Sequence, residues 1–495
     1  MNSIPLIPYP MSLDIYEEDG YLVLDKDFII KKNKKTEHLT ELLKKEIKDI
    51  INLDLEIKKE DDDSPEIIVK VDVNEFFEDF AYYVHISEDQ IILCGACEES
   101  AFYALQTFKQ LLFFYGNKLP FMELEDEESI SWRGLHMDVS RHFFKVSFIK
   151  KILDMMALIK LNRFHWHLTD DQGWRIESKR FPELNRIGSY RTENGEKYGG
   201  YYTQDEIREI VEYAQARNIE VVPEIDLPGH TQAMIASYPE LACEPDNYEV
   251  WNQWGVSIHV LCMGKERTYS FIQELLEEII PLFKSEYFHI GGDECPTNVW
   301  ADCPDCQKKK TELGLKSNRE LQFKFNEFLA RILEKHGKTL IGWDEINEGK
   351  LPEDSICMCW RGDGKDALLR TVKQEKRAIM TPNTKYYFDW KQSIYPDEKG
   401  GFGITTLKTV YEYCPSEMFE DDDLLVIGLQ ANVWTEMIDT EELFEYMLFP
   451  RILAIAERGW NYDDPLNYPA FKERVDFFTK NILKHYKVNY CDRYI

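Results

Sequence analysis

The chain has 495 residues, of which 44% are hydrophobic and 13% aromatic, a composition typical of a folded globular protein rather than a disordered one. It carries 59 Lys and Arg against 90 Asp and Glu, which gives a net charge of −31 at pH 7. A surface of that charge repels phosphate backbones and anionic lipids, so we expect no binding to nucleic acid or to a membrane.

The sequence contains no run of ~20 apolar residues that would span a bilayer. Its first residues lack the basic and apolar regions of a secretion signal, so we expect a cytoplasmic protein whose 11 cysteines remain thiols. Cys303 and Cys306 form a Cys-x-x-Cys pair close to Cys295. These three thiols could belong to a structural zinc site, and the sequence does not decide whether they do. The sequence also leaves open whether the protein forms a homodimer.

The first 125 residues predict a small α+β domain. Short strand-like runs at 66–72 and 81–86 lie among charge-rich stretches, and residues 98–114 have apolar side chains at helical spacing. The acidic run at 123–128 is interpreted as the linker to a second domain, which covers residues 126–495.

From about residue 132 onward, short apolar strands alternate with amphipathic helices. The pattern predicts eight strands, at 134–139, 163–168, 220–225, 287–291, 339–343, 356–360, 378–381 and 425–433. It predicts helices at 147–159, 203–216, 269–282 and 318–335. No glycine-rich phosphate turn follows the first strand, which disfavours an open doubly wound sheet. We therefore predict an α/β protein in which a (β/α)8 TIM barrel forms the catalytic domain.

Carboxylates and tryptophans lie at the carboxyl ends of the predicted strands, where the active sites of such barrels are found. Trp343, Trp360 and Trp434 follow strands five, six and eight, each close to an acidic residue. Carboxylates bind sugar hydroxyls, and an indole face stacks on a pyranose ring. The combination predicts a carbohydrate site.

Asp293 and Glu294 follow the sequence His-Ile-Gly-Gly at the end of strand four. Neighbouring residues of a strand point to opposite faces, so both carboxylates enter one pocket only if the chain turns there, which Gly291 and Gly292 permit. Two carboxyl groups in one pocket raise each other's pKa, which suits one of them to act as a general acid.

The segments RGLHMDVSRHF, FHWHLTDDQGWRIE, VVPEIDLPGH, HIGGDE, GWDE and WTE occur in this order. Together they resemble the family-20 glycoside hydrolases, the β-N-acetylhexosaminidases, over residues 133–460, and the first domain is similar to that family's small α/β domain. The resemblance implies an exo-acting, retaining hydrolase for terminal β-linked N-acetylglucosamine or N-acetylgalactosamine in small oligosaccharides or glycosides. It implies no cofactor and no catalytic metal. The nucleophile in that family is the substrate's own acetamide, which gives an oxazolinium intermediate.

The resemblance also assigns roles. Glu294 is the general acid/base, Asp293 binds the acetamide N–H and balances the positive charge, and Tyr387 donates to the acetamide carbonyl. Asp170 and His230 form a polar pair beside the acid/base. The residues expected to bind the sugar are Arg141, Trp343, Trp360, Asp389, Trp434 and Glu436.

Asp226 is expected behind the His230 imidazole, and the stretch 237–253 fits an insertion rather than a helix.

Two other functions stay open. His165 and His167 share a strand face, as the first ligands of a metal-dependent barrel hydrolase do, although strands five to eight offer no further histidine. The second alternative, besides a metal-dependent hydrolase, is a sugar-binding protein that has lost catalysis.

Overall fold

The computed structural model describes residues 4–31, 36–58, 65–72, 81–350, 353–418 and 425–494. The chain divides into two compact units. One comprises Met1–Arg133, Asp154–Asn162 and Ile452–Tyr490, and the other comprises Gly134–Leu153, Arg163–Arg451 and Cys491–Ile495. Among the described residues, no helix has both the length and the apolar character needed to cross a bilayer.

The first unit contains a seven-stranded mixed sheet, as the predicted α+β domain requires. The order of its strands is Ser12–Ile15, Met122–Asp126, Tyr82–Ile86, Gln90–Gly95, Glu66–Val71, Ile29–Lys31 and Glu56–Lys58. A separate pair of strands joins Tyr21–Val23 to Lys118–Pro120. The helices of this unit include Glu37–Ile51, Glu98–Tyr115 and Tyr468–Phe477.

The acidic run at 123–128 is not a linker, and that prediction was wrong. Met122–Asp126 is a strand that pairs antiparallel with both Ser12–Ile15 and Tyr82–Ile86. Its glutamates are exposed, whereas Leu124 and Asp126 are buried. Acidic and apolar residues alternate here, which is the pattern of a strand with one buried face.

The second unit is built on a closed barrel of eight parallel strands that are adjacent in chain order. The strands are Trp132–Asp138, Arg163–His167, Glu220–Glu224, Tyr287–His289, Thr339–Trp343, Ile356–Cys359, Arg377–Met380 and Val426–Val433. All eight predicted strands are confirmed, with ends that differ by at most two residues. Their carboxyl ends form one rim, and that rim carries the site described below.

Helices follow most barrel strands, as predicted. They are Val146–Leu158, Gln204–Gln215, Glu266–Ile279, Arg319–Lys335, Lys365–Lys373, Glu441–Leu448 and Arg451–Trp460. The helix after strand two begins at a capping box, because the Thr203 side chain accepts from the Glu206 N–H and the Glu206 side chain accepts from the Thr203 N–H. After strand three, only the short helix Gln232–Ser237 and one 3-10 turn precede residue 266, so the predicted insertion is confirmed.

Candidate active site

Asp293 and Glu294 lie on a sharp turn directly after barrel strand four. Gly291 and Gly292 have φ of 66° and 97°, and Glu294 itself has φ of 43°. A Cβ atom at position 291 would lie 1.8 Å from Asp226 Oδ1, so only glycine fits there. The turn lets both acidic side chains line one cavity, although they are neighbours in sequence.

His230 lies between this acidic pair and a second carboxylate. Its Nε2 atom is 3.7 Å from Asp293 Oδ2 and 3.7 Å from Glu294 Oε2, while its Nδ1 atom is 3.1 Å from Asp170 Oδ1. Burial would lower the pKa of His230, but Asp170, Asp226 and Asp293 raise it well above its ordinary value. These carboxylates therefore favour the protonated ring, whose Nε2 atom faces the acid pair.

Asp226 lies beside His230, where it was expected, and it also supports the turn. Its Oδ1 atom accepts from the Gly292 N–H at 3.0 Å. Burial raises the pKa of both Asp226 and Asp293; nearby Glu224 and Asp170 also raise that of Asp226, and Asp226 also raises that of Asp293. Both carboxyl groups therefore bind a proton more readily than an exposed aspartate, and the Nδ1 atom of the imidazole contacts Asp170.

The cavity above these groups has a volume of about 280 Å³. Trp360, Tyr387 and Trp434 form its aromatic wall: the Trp360 and Tyr387 rings are stacked at 13° with centroids 6.1 Å apart, and the Tyr387 and Trp434 centroids are 6.0 Å apart. The Trp360 indole N–H donates to Glu345 Oε2 at 2.9 Å, which fixes that ring. The wall offers apolar faces on one side and a phenol hydroxyl close to Asp293.

Arg141 also lines the cavity, where carboxylates hold it. Its Nη2 atom is 2.9 Å from Asp170 Oδ2 and 3.8 Å from Glu436 Oε1, and its Nη1 atom is 3.3 Å from Asp138 Oδ2. Its guanidinium also lies 4.9 Å from the centre of the Trp434 ring. These contacts leave a fixed cation at the cavity wall, and through Asp170 they link it to His230.

Asp389 and Glu436 add acceptors to the same wall. Asp389 is buried, and its Oδ1 atom has no hydrogen-bond partner within the part of the chain that the structure describes. Burial and the neighbouring Glu436 raise the pKa of Asp389 well above its usual range. An unpaired buried oxygen is costly, so this atom is suited to a hydroxyl group of a bound ligand.

The histidines proposed for a metal-dependent hydrolase surround Glu224 in the barrel interior. Glu224 Oε2 lies 2.6 Å from His167 Nδ1 and 3.0 Å from His165 Nε2, and Oε1 lies 3.0 Å from His289 Nδ1. Burial would lower the pKa of His167, but Glu224 and Asp170 raise it to about 10. One carboxylate thus contacts three imidazoles, and together they form a buried polar group in the barrel interior.

Eight of the eleven predicted site residues line the cavity, namely Arg141, Asp293, Glu294, Trp360, Tyr387, Asp389, Trp434 and Glu436. Asp170 and His230 are buried beside it. Trp343 is not among the lining residues. It is buried, donates from Nε1 to Glu224 Oε1 at 2.8 Å and packs against Trp434 with centroids 5.7 Å apart, so it supports the wall.

Sequence reasoning missed the remaining lining residues, which are Trp254, Gly255, Val256, Asn383, Trp390 and Phe402. Trp254 and Phe402 are 62% and 67% exposed, and their rings stack at 29° with centroids 5.8 Å apart. Trp254 lies in the irregular insertion after strand three. A tryptophan in a polar segment without periodicity is the signal that could have identified it.

Profiles of one family match almost the whole chain. The glycosyl hydrolase family 20 catalytic domain matches residues 130–463, and domain 2 of that family matches residues 3–127. These ranges place the domain border near residue 128, whereas the compact units group residues 452–490 with the N-terminal region.

Among curated proteins, a β-hexosaminidase of Porphyromonas gingivalis is 39% identical over 492 residues, which cover 96% of this chain and 63% of the relative. A β-hexosaminidase of Vibrio furnissii is 34% identical over 415 residues, covering 80% of this chain and 67% of the relative. The chain thus spans less than two thirds of the Porphyromonas protein.

Solved structures show the same similarity. The exo-β-N-acetylglucosaminidase of Vibrio harveyi in complex with N-acetylglucosamine has a TM-score of 0.89 and 30% identity, covering 98% of this chain and 78% of that one. A β-N-acetylhexosaminidase of Bacteroides fragilis has a TM-score of 0.86 and 30% identity, covering 98% of this chain and 96% of that one.

Proposed function

Because the chain belongs to glycosyl hydrolase family 20, we propose that it is an exo-acting, retaining β-N-acetylhexosaminidase. Its substrates are small oligosaccharides or glycosides that end in β-linked N-acetylglucosamine or N-acetylgalactosamine. The observation that carries this proposal is the turn after strand four, which brings Asp293 and Glu294 into one aromatic-walled cavity with His230 3.7 Å from both.

Glu294 is positioned to protonate the glycosidic oxygen. Its side chain is 46% exposed, so it reaches the part of the cavity where a leaving group would depart. The His230 imidazolium beside it is held by Asp170, which keeps the ring oriented and charged. After the leaving group has gone, the Glu294 carboxylate takes a proton from the attacking water.

Asp293 and Tyr387 support substrate assistance. Both side chains are buried at the cavity wall, and the Asp293 carboxyl is among the groups that raise the pKa of the Tyr387 phenol, which therefore stays a donor. A 2-acetamido group between them would donate its N–H to Asp293 and accept from Tyr387, with its carbonyl oxygen held near C1. The cation that forms on cyclisation is stabilised by the Asp293 carboxylate.

A sugar-binding protein without catalysis would need the aromatic wall and Arg141 but no acid/base. The connected series Glu294, His230 and Asp170 supports an enzyme. A cytoplasmic location stays a prediction; it is supported by the absence of any disulfide among the 11 cysteines, all of which are described.

The test is a comparison of aryl β-N-acetylglucosaminide, β-N-acetylgalactosaminide and β-glucoside as substrates. If the acetamide is the nucleophile, its replacement by hydroxyl should lower kcat/KM by at least about 1000-fold, since well-placed intramolecular groups have very high effective molarities. A thiazoline mimic of the intermediate should inhibit more tightly than the product sugar. Comparable hydrolysis of the glucoside, or a glycosyl adduct on an enzyme carboxylate, would falsify the mechanism.

A further inference from the structure

Four cysteines from two loops of the barrel rim converge on one point. Cys243 and Cys262 belong to the insertion after strand three, and Cys303 and Cys306 belong to the segment after strand four. The Sγ atoms of all four lie within 4.8 Å of one another, with Cys262 3.5 Å from Cys306 and 3.7 Å from Cys303, and Cys243 3.8 Å from Cys306. Cys295, which the sequence had grouped with the Cys-x-x-Cys pair, is not a member of this cluster.

These separations fit a metal ion and not a disulfide. A disulfide requires an S–S distance of about 2.05 Å. Four thiolates at about 2.3 Å from a tetrahedral zinc lie about 3.8 Å from one another, which is close to the three distances in this cluster. We infer that Cys243, Cys262, Cys303 and Cys306 bind one structural zinc ion.

The backbone around the cluster is shaped for such a site. Cys303 is the N-cap of the helix Pro304–Glu312, and Cys306 lies in its first turn, where the helix dipole favours thiolates. A Cβ atom on Gly264 would lie 2.1 Å from the carbonyl carbon of Asp305, so only glycine allows the two loops to approach this closely.

The site would have a consequence for substrate binding. The segment between Cys243 and Cys262 carries Trp254, Gly255 and Val256, which line the cavity. A metal ion would tie both ends of that segment to the loop that begins at Asp293. The metal ion would supply no catalytic group, because none of the four cysteines lines the cavity. Its role is to hold the insertion in place.

The experiment begins with metal analysis of the full chain purified without chelator from zinc-containing medium. We expect about one zinc per chain, and after exchange with Co²⁺ we expect intense sulfur-to-cobalt charge-transfer bands with tetrahedral d–d bands. Cys262→Ser and Cys306→Ser should each weaken metal binding by at least about 100-fold, more than outer-shell changes do. Cys295→Ser and Cys97→Ser are matched controls and should keep the metal.

Metal release by a thiol-reactive mercurial should also expose residues 244–261 to limited proteolysis and leave the rest of the barrel resistant. This readout needs no variant to fold. Three results would overturn the proposal: wild-type protein without stoichiometric metal under these conditions, a cobalt spectrum without sulfur charge transfer, or disulfide-linked peptides joining these cysteines. Loss of metal in Cys295→Ser but not in Cys262→Ser would favour the sequence-based set of ligands instead. None of these results tests the hydrolase activity proposed above, which the glycoside comparison tests separately.

Discussion

The Nδ1 atom of His230 lies 3.1 Å from Oδ1 of Asp170, on the side of the ring that faces away from the acid pair. The other oxygen of Asp170 lies 2.9 Å from Arg141 Nη2. Burial would raise the pKa of Asp170, but these two cations hold it well below its usual range. One carboxylate thus favours the charged imidazole and also orients Arg141 at the cavity wall.

Asp170→Asn should therefore change the pH dependence as well as the rate. Without the carboxylate the pKa of His230 falls, so the ring loses its proton at lower pH and the alkaline limb of kcat/KM moves to lower pH. Asp138→Asn is the control, because Asp138 contacts Arg141 at 3.3 Å and lies outside the group of carboxylates that raise the pKa of His230. Asp138→Asn should raise KM and leave the alkaline limb of the kcat/KM profile at the same pH. A limb that moves equally in both variants would argue against the proposed role of Asp170.

Glu294→Gln should separate substrates by their leaving groups. A poor leaving group needs protonation as it departs, whereas an activated phenolate does not. The variant should lose about 100-fold or more of its activity on a disaccharide and much less on a dinitrophenyl glycoside. Steady-state kinetics on both substrates measure the difference. Equal losses would mean that Glu294 is not the acid.

Asp293→Asn should reduce kcat more than it raises KM. The amide can still hydrogen-bond to the acetamide but carries no charge to balance the oxazolinium cation. Asp226→Asn serves as the comparison, because Asp226 accepts from the Gly292 N–H: this variant should perturb the turn without removing the counter-charge. A change confined to KM in Asp293→Asn would contradict electrostatic stabilisation by this residue.

The barrel and most of the site could be predicted from the sequence because both depend on local patterns. Each strand is a short apolar run, and residues such as Asp293, Trp360 and Trp434 follow strand ends directly, so the topology brings them together. The acidic strand Met122–Asp126 was misassigned because its composition was weighed above its alternation.

The missed residues depend on long-range contacts. Trp254 reaches the cavity because the Ser257 N–H donates to Asp171 Oδ2 at 2.9 Å, a contact between residues far apart in the chain. Cys243 and Cys262 join the Cys-x-x-Cys pair for the same kind of reason: the Cys262 N–H donates to Leu241 O at 2.8 Å, and the Trp300 indole donates to Leu261 O at 3.0 Å. No periodicity in the irregular insertion encodes these contacts.

Glu345 should make stability depend on pH. Burial and the neighbouring Asp344 raise its pKa to about 7, above the usual 4.5. A raised carboxyl pKa costs stability as the pH rises from about 4.5 to about 7, on the order of 3 kcal/mol when complete. Glu345→Gln should thus stabilise the protein at pH 8 and have little effect near pH 4.

Glu348→Gln is the control with the opposite sign, because two arginines lower the pKa of Glu348 despite its burial. Thermal unfolding across this pH range gives the comparison, and a difference that is independent of pH would contradict the assignment.

The exposed pair of Trp254 and Phe402 allows a last prediction about chain length. Both rings line the cavity at its open side and are more than half exposed, whereas the aromatic wall at Trp360, Tyr387 and Trp434 is largely buried. A terminal sugar is expected to fill the buried part, so the exposed rings are placed to contact the next sugar. Trp254→Ala should raise KM for a chito-oligosaccharide by about 10-fold, since one aromatic contact contributes about 1 kcal/mol or more, and should change KM for an aryl monosaccharide much less. Trp251→Ala, in the same insertion but outside the lining, is the matched control for general loosening of the segment. Equal effects of Trp254→Ala on both substrates would place its contact at the terminal sugar instead.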